Sequence, residues 1–282
     1  MTGKNHFLHL LLLIPSFTVI AQRSGFSIPK LEADMVKLND SLYACKYETS
    51  NASYQYFLSE LSSASADLYQ VCQVNPSGWN KILPPDSVTA HYHEDPAFKD
   101  YPVVNITYDA ALAYCDWLTR LYQASPKRKF SKVLFFLPAK EQMIAAATDG
   151  KDKMYPWGNY YLVNKKGFYM CNFKAVSDAY FERDSTGKPV IVGYNGHSDL
   201  HAAEFPPDKN FYTMKVKSFE PNLTGLYNTS GNVAEMIAVP GWALGGSWNS
   251  YGGEIRPNSM KKYTLPSAEV GFRIFMKVIR EN

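Results

Sequence analysis

The fold of this 282-residue chain is decided by one polar segment in its C-terminal third, Gly225-Leu226-Tyr227-Asn228-Thr229-Ser230-Gly231-Asn232-Val233-Ala234-Glu235. Its mixture of glycine, asparagine, serine and threonine is typical of a tight turn. Such a turn offers the oxygen ligands that Ca²⁺ prefers: the amide oxygen of Asn228, the carboxylate of Glu235, and the main-chain carbonyls of Gly231 and Val233. The segment therefore predicts a calcium site. The alternative is an ion-free turn with Glu235 on a solvated face.

The composition is that of a globular protein with a substantial core, because 46% of the residues are apolar and 20% are charged. It excludes wholesale disorder, collagen and coiled coil. Lysine and arginine number 29, aspartate and glutamate number 26, and the formal net charge is +3. A balance this close to neutral gives no reason to expect nucleic acid or an anionic membrane surface as a partner.

The first 21 residues have the pattern of a cleaved secretory signal peptide. Lys4 precedes the apolar run 7–14, and Val19-Ile20-Ala21 provides small or branched residues where a signal peptidase would cut. The run is short for a membrane anchor, and no later segment approaches the length of a transmembrane helix. We therefore expect an exported chain, periplasmic or at the cell surface. It should begin near Gln22 and carry no lipid, because no cysteine lies near the cut.

Residues 22–42 are interpreted as a lead-in, and residues 43–282 as one domain. All four cysteines, Cys45, Cys72, Cys115 and Cys171, lie in that domain. Export permits disulfides, but four cysteines allow three full pairings and the sequence does not choose among them. The lack of a C-x-x-C motif argues against a zinc ribbon or a redox pair.

Apolar periodicity predicts three helices in the first half of the chain and strands in the second. The first helix follows the capping residues 49–51 and repeats apolar side chains at positions 54, 57, 58 and 61. The second spans about 107–122, and the third runs from Pro138 to near Gly150. Short strand-like runs occur at 133–137, 190–194, 215–219, 242–248 and 271–279. Helices early and strands late indicate an α+β fold. The loop-rich stretch 150–212 would need a metal or a disulfide to hold it.

Seven motifs occur in the order typical of one protein superfamily. Besides the segment quoted first and the stretch 101–117, they are Tyr47-Glu48-Thr49-Ser50-Asn51, Phe136-Leu137-Pro138-Ala139-Lys140-Glu141, Tyr155-Pro156-Trp157-Gly158-Asn159, Gly245-Gly246-Ser247-Trp248 and Gly271-Phe272-Arg273. Over about residues 43–276 the chain resembles the formylglycine-generating-enzyme (sulfatase-modifying factor) superfamily. The resemblance implies a single C-type-lectin-like α+β domain with much irregular structure and bound calcium.

The resemblance also extends the calcium prediction. It implies that Glu48 closes the first site, together with Asn228, Gly231, Val233 and Glu235. It further implies a second site that uses Asn172 and the carbonyl of Phe173, and Asp208 is the candidate carboxylate there. Structural Ca²⁺ is therefore the expected cofactor.

The chain lacks the residues on which the superfamily's oxidase depends. That enzyme binds copper through two cysteines between the GGSW and GFR motifs, and thiolates suit Cu(I) because both are soft. The corresponding interval, 249–270, contains no cysteine, so we expect no copper and no formylglycine-generating activity. Cys115 matches a family cysteine whose partner position is held here by Ile274, and we expect it to be a buried thiol.

Two histidine pairs leave a divergent metal-dependent enzyme open as an alternative. His91 and His93 precede Asp95, and His197 and His201 fall in the long loop. Imidazole with carboxylate is a common transition-metal ligand set. Polar, solvated loops explain both pairs as well.

A narrower likeness concerns the stretch 95–104 and Asn172-Phe173-Lys174. Both resemble superfamily members found among gliding-motility and type IX secretion lipoproteins, which are structural parts of an envelope machine. The sequence therefore predicts an exported, non-catalytic, calcium-stabilised binding or scaffold module with a protein or glycan partner in the cell envelope. The alternatives are a divergent oxidase and a lectin-like glycan or peptide binder.

Overall fold

A computed structural model of the chain describes residues 26–82, 87–175, 180–183, 185–186, 189–192 and 211–279. Within these ranges the helices are α1 Ile28–Ala33, α2 Asn51–Ala64, α3 Ala66–Cys72, α4 Ser87–His91, α5 Tyr108–Ala124 and α6 Lys140–Thr148. Short 3₁₀ turns occupy Pro76–Lys81, Pro96–Phe98 and Gly252–Glu254. The strands are β1 Met35–Lys37, β2 Leu42–Cys45, β3 Val133–Phe136, β4 Tyr180–Arg183, β5 Pro189–Val192, β6 Ala234–Met236, β7 Trp242–Leu244, β8 Met260–Lys262, β9 Val270–Gly271 and β10 Phe275–Val278.

The three predicted helices are confirmed as α2, α5 and α6. The side chain of Ser50 accepts a hydrogen bond from the Ser53 amide and so caps α2, while Thr107 caps α5 through the Ala110 amide. These side chains satisfy amides that the first helical turn leaves unpaired. The capping residues before α2 and the apolar spacing of the helices can be recognised in the sequence. For this reason the predicted and observed helix starts agree closely.

Two four-stranded sheets form the rest of the domain. The first has the order β1-β2-β10-β3 and is antiparallel throughout. The second has the order β8-β7-β6-β9, with a parallel pairing between β6 and β9. Strands β4 and β5 form a separate hairpin. The arrangement confirms the predicted α+β class.

Aromatic side chains join the helices to the C-terminal segment in the main core. Phe57 of α2 lies 5.4 Å from Tyr114 of α5 between ring centroids, and Tyr114 lies 5.4 Å from Phe272 in an edge contact. All three side chains are buried. Because Phe272 directly precedes Arg273, this packing fixes where the Arg273 side chain enters the interior.

Three strand predictions need correction. Residues 215–219 form a turn rather than a strand, and Phe219 has a left-handed φ of 61°. The run predicted at 242–248 stops at Leu244, because Gly245 and Gly246 take φ values of 85° and 67° that strand residues do not adopt. The run predicted at 271–279 is interrupted at residues 272–274 and becomes a strand again only in β10. Of the run 190–194, residues 190–192 lie in β5 and the last two lie outside the described residues.

Residues of the segment 22–42 pack against the rest of the chain. Ile28 and Leu31 of α1 are buried in the main core, and β1 pairs with β2 in the first sheet. The Glu32 carboxylate accepts hydrogen bonds from the Tyr122 hydroxyl and from the Lys129 amide. These contacts are long-range in sequence, so local patterning could not reveal them.

No disulfide joins any two of the four cysteines, and Cys72, Cys115 and Cys171 are buried. The prediction for Cys115 is confirmed, because it lies on the buried face of α5 with 2% of its surface exposed. Burial raises the pKa of the Cys45 thiol to about 11, so the thiolate is disfavoured there. Among the helices of the described ranges, none has the length and apolar character needed to span a membrane.

Candidate functional site

The segment 225–235 forms a tightly wound turn that leads into β6. Asn228 and Asn232 have left-handed φ values of 53° and 62°, a region that asparagine tolerates better than most residues. Gly231 has a φ of 75°, and a Cβ atom there would lie 2.2 Å from the carbonyl oxygen of Asn172. Only glycine fits this position. The turn is thereby packed against Asn172, which the sequence assigned to a second site.

Glu48, between β2 and α2, reaches this turn. Its carboxylate is buried and accepts hydrogen bonds from Asn228 Nδ2 at 2.9 Å and from Asn232 Nδ2 at 3.0 Å. Burial raises the pKa of Glu48 to about 8, and the nearby Glu235 carboxylate acts in the same direction, while Arg273 and the two amide donors oppose the rise. The structure thus brings Glu48 into contact with Asn228, two residues of the predicted first site. Asn232 was not predicted.

Glu235 lies in β6 and pairs with Arg273. Arg273 Nε and Nη2 donate to the two carboxylate oxygens at 2.9 and 2.6 Å, and both side chains are almost completely buried. The sequence predicted that Glu235 either binds a calcium ion or lies on a solvated face. The structure buries it and engages both of its oxygens with Arg273.

Arg273 uses its remaining donors on main-chain carbonyls. Nη1 donates to Cys45 at 3.0 Å and to Lys46 at 2.6 Å, and Nη2 donates to Tyr227 at 2.6 Å. With the two bonds to Glu235, all five guanidinium N–H groups have a partner. Sequence reasoning placed Arg273 only in a family motif. The available signal was a lone cation within the apolar run Val270-Gly271-Phe272-Arg273-Ile274-Phe275.

Two buried amide oxygens in this region have no hydrogen-bond partner among the described residues, Asn228 Oδ1 and Asn172 Oδ1. The amide nitrogens fix both orientations: Asn228 Nδ2 also lies 3.3 Å from the Lys215 carbonyl, and Asn172 Nδ2 donates to the Tyr212 carbonyl at 2.8 Å. An unpaired buried polar oxygen is costly unless something satisfies it.

Two buried carboxylates face one buried guanidinium here, so the cluster of Glu48, Glu235 and Arg273 carries excess negative charge when both acids are ionised. The main-chain carbonyls of Gly231 and Val233 accept none of the main-chain hydrogen bonds found in the turns and loops of the described ranges. Unpaired amide and carbonyl oxygens beside a carboxylate are a donor set of the kind that a hard divalent cation takes. These residues therefore fit the calcium that the resemblance implies.

The second predicted site is only partly described. Asn172 is buried and touches the first turn, because Asn172 Nδ2 donates to Asn232 Oδ1 at 3.1 Å. Phe173 is buried in a smaller apolar cluster. Asp208 lies outside the described residues. The structure thus brings Asn172 to Asn232, a contact that links the two predicted sites.

The histidine pairs do not form a metal site within the described ranges. His93 is buried and its Nδ1 bonds to Asn51 Oδ1 at 3.0 Å, whereas the His91 side chain is 68% exposed and lies near Glu94. In the described part of the chain no three His, Cys, Asp or Glu side chains group as metal ligands would. His197 and His201 lie outside it.

Burial makes His93 an acid-sensitive element of the fold. It lowers the pKa of His93 from 6.5 to about 3, so the folded protein keeps the imidazole neutral while the unfolded chain takes up a proton below pH 6.5. His93 therefore contributes stability above pH 6.5, and this contribution is lost as pH falls toward 3. We expect the free energy of unfolding to decrease by about 1.4 kcal/mol per pH unit through this residue.

The measurement is urea unfolding of wild type and His93→Gln between pH 6.5 and 5. The difference in slope between the two proteins isolates the His93 contribution. His91→Gln, a change at an exposed histidine, should keep the wild-type slope. Equal slopes for wild type and His93→Gln would contradict the assignment.

The interval 249–270 is held by a carboxylate rather than by thiols. Glu269 accepts hydrogen bonds from Ser247 Oγ at 3.0 Å and from Asn249 Nδ2 at 3.1 Å, and it forms an ion pair with Lys261. Glu269 is buried. The interval therefore offers a closed polar network instead of a pair of soft sulfur ligands.

The fold and the motif residues define a member of the formylglycine-generating-enzyme superfamily. Residues 30–278 match the FGE-sulfatase family, described as the sulfatase-modifying factor enzyme 1-like domain, and the chain belongs to that family. The predicted family is thus confirmed.

Particular relatives include both active and inactive proteins. The chain is 31% identical over 140 residues to the formylglycine-generating enzyme of Thermomonospora curvata, covering 49% of this chain and 33% of that protein. It is 29% identical over 140 residues to the inactive C-alpha-formylglycine-generating enzyme 2 of Mus musculus, covering 49% and 32%. The matched region thus spans about a third of these curated relatives. The solved structure of CarF is similar in fold, with a TM-score of 0.50 and 18% identity over 85% of this chain and 87% of that one.

Proposed function

We propose that this protein is a non-catalytic binding or scaffold domain of the formylglycine-generating-enzyme superfamily, exported to the cell envelope and stabilised by calcium. The observation that carries the proposal is the composition of the interval 249–270. It contains no cysteine, and Glu269 closes a network with Ser247, Asn249 and Lys261 there. The similarity to inactive formylglycine-generating-enzyme relatives supports the proposal.

The residues of this interval do not provide the ligands that Cu(I) favours. Cu(I) favours thiolate and thioether ligands, and the interval offers the carboxylates Glu254 and Glu269, a single thioether at Met260, and cationic side chains. Cys45, Cys72, Cys115 and Cys171 lie elsewhere in the chain. No catalytic step is therefore assigned to copper in this protein.

Calcium would serve as a structural cross-link. Glu48, Asn228 and the carbonyls of Gly231 and Val233 would hold it, with Glu235 shared with Arg273, and Asn172 would belong to the second site. Bound Ca²⁺ would supply positive charge and oxygen coordination to the acidic cluster. Support comes from the unpaired Asn228 Oδ1 and Asn172 Oδ1 atoms.

The proposed cellular location and the proposed structural role rest on sequence features alone. The pattern of residues 1–21 supports export to the periplasm or cell surface. The likeness of stretch 95–104 and of Asn172-Phe173-Lys174 to gliding-motility and type IX secretion members supports a structural role in the envelope. A protein or glycan would be the partner of such a domain.

We expect the purified protein to lack formylglycine-generating activity, because the copper thiolate pair is absent. The assay incubates it with copper, oxygen, a reductant and a sulfatase-type cysteine peptide, and mass spectrometry measures conversion of cysteine to aldehyde. The catalysed rate should not exceed that of the protein-free control.

A known formylglycine-generating enzyme in the same buffer is the positive control. Metal analysis of the purified protein complements the assay, because calcium without copper or iron is the expected content. Aldehyde formation above the protein-free control would overturn the non-catalytic proposal.

A further inference from the structure

A cavity of about 420 Å³ lies beside the turn 225–235. This volume is in the range of small-molecule sites. Its lining combines aromatic side chains, among them Trp157 and Phe168, with polar ones, among them Asn222, Thr229 and Ser230. We propose that this cavity binds an uncharged pyranose ring of a glycan. The inference rests on the proposed binding function and names its ligand class.

The aromatic side offers a platform for stacking. The Trp157 ring lies parallel to Tyr155, with centroids 5.0 Å apart and an interplanar angle of 10°. Its Nε1 donates to the Tyr161 carbonyl at 2.8 Å, which fixes the ring further. The indole is thus held rigidly with one face covered by Tyr155. An indole in the cavity lining suits the C–H face of a sugar ring, because both are flat and apolar.

The polar residues of the lining include one hydroxyl that the described residues leave without a hydrogen bond, and a rigid amide beside it. Ser230 is only 2% exposed, and its hydroxyl has no hydrogen-bond partner among the described residues. Asn222 is rigidly held, since its Nδ2 donates to the Ala146 and Ala147 carbonyls and its Oδ1 accepts from the Leu226 amide. A ligand hydroxyl would satisfy the buried Ser230 oxygen, whose desolvation is otherwise uncompensated.

The charge of the lining selects against ionic ligands. Among the described residues that line the cavity, Lys166 and Glu220 are the only charged side chains, and their charges cancel. Phosphate or carboxylate recognition normally employs an excess of cationic donors. A neutral ligand with one apolar face and several hydroxyls matches these walls, and a pyranose has this chemistry.

The experiment titrates the full exported chain by isothermal calorimetry, in calcium and in chelator. The probes are the methyl glycosides of glucose, galactose and mannose, and N-acetylglucosamine, each alone. The typical affinity of a ligand of this size corresponds to a dissociation constant of about 1 mM. Sorbitol, an acyclic polyol without a ring face, is the matched ligand control and should not bind.

Three variants separate binding from folding. Trp157→Ala should weaken glycoside binding about tenfold, and Trp157→Phe should restore most of it. Ser230→Ala should weaken binding about fivefold without lowering the melting temperature, because the hydroxyl it removes bonds to no described residue of the free protein. Tyr160→Ala, a change at a neighbouring aromatic with 76% of its surface exposed and outside the cavity lining, should bind like wild type.

The outcomes distinguish this inference from the proposed function. A protein with calcium-dependent melting that binds none of the four sugars, or binds sorbitol equally, overturns the saccharide site and leaves the calcium-stabilised domain intact. Sugar binding by a protein that melts identically in chelator supports the site and overturns the role of calcium. Unchanged binding in both Trp157→Ala and Ser230→Ala places any sugar elsewhere and also overturns the inference.

Discussion

Replacing Glu235 with alanine is expected to destabilise the protein by about 3–5 kcal/mol, the usual cost of removing one partner from a buried ion pair. The variant would leave the Arg273 guanidinium buried with two of its five donors unpaired. For a chain of this size the melting temperature should fall by about 10 °C. Calorimetric or circular-dichroism melting measures the effect.

The matched control is Glu94→Ala. The Glu94 side chain is 83% exposed and faces only His91 at 3.8 Å, so its loss should change stability by less than about 0.5 kcal/mol. The double variant Glu235→Ala/Arg273→Met tests the mechanism, because it removes both charges and should recover part of the loss. The destabilisation should persist in chelator. If Glu235→Ala melts like Glu94→Ala, the pair does not organise the fold.

Removing calcium is expected to destabilise the wild-type protein by about 2.7 kcal/mol relative to protein in free calcium at 100 times its dissociation constant. The reason is that the ion would bind only the folded arrangement of Glu48 and the turn 225–235. The readout is the melting temperature in calcium and in chelator. Glu48→Gln should abolish most of this difference, because it removes a charged ligand while keeping the size of the side chain.

The direction in which Glu48→Gln changes the melting temperature in chelator provides a second test. There the substitution removes a buried carboxyl group whose charged form is disfavoured by burial and by Glu235, so the melting temperature should stay unchanged or rise. Glu269→Gln is the matched control, since Glu269 is another buried carboxylate but pairs with Lys261. Its effect should be the same in calcium and in chelator. A wild-type protein indifferent to chelator, with Glu48→Gln indifferent to calcium, would show that the turn needs no ion.

The elements predicted correctly are those specified by neighbouring residues. Helix α2 follows from the capping residues 49–51 and from apolar side chains at helical spacing, and α5 follows from its apolar face. The predicted strand at 215–219 failed because composition alone does not report backbone conformation. Residues 215–219 instead form a turn, in which the Val216 amide donates a hydrogen bond to the Asp100 carbonyl.

The residues of the candidate site likewise fall into two groups, those that a local sequence pattern indicates and those that only the folded structure brings together. Asn228 could be singled out because amide oxygens on a glycine-rich turn are a local pattern, and its unpaired Oδ1 agrees with that chemistry. Asn232 was passed over because nothing local distinguishes it from Asn228. Its role depends on Glu48, which is 184 positions away, and on Asn172, which is 60 positions away.

The sequence by itself therefore determined the family, the α+β class and the approximate bounds of three helices, since motif order, capping residues and apolar period are all local features of the chain. Only the tertiary structure decided what Glu235 does. Its partner Arg273 is 38 positions away, and the same guanidinium reaches the Cys45 carbonyl across 228 positions. Whether a carboxylate meets an ion, water or an arginine depends on what folding brings within about 3 Å, the distance of a hydrogen bond. That distance is set by the packing of β6 and the segment before β10, and no local pattern encodes it.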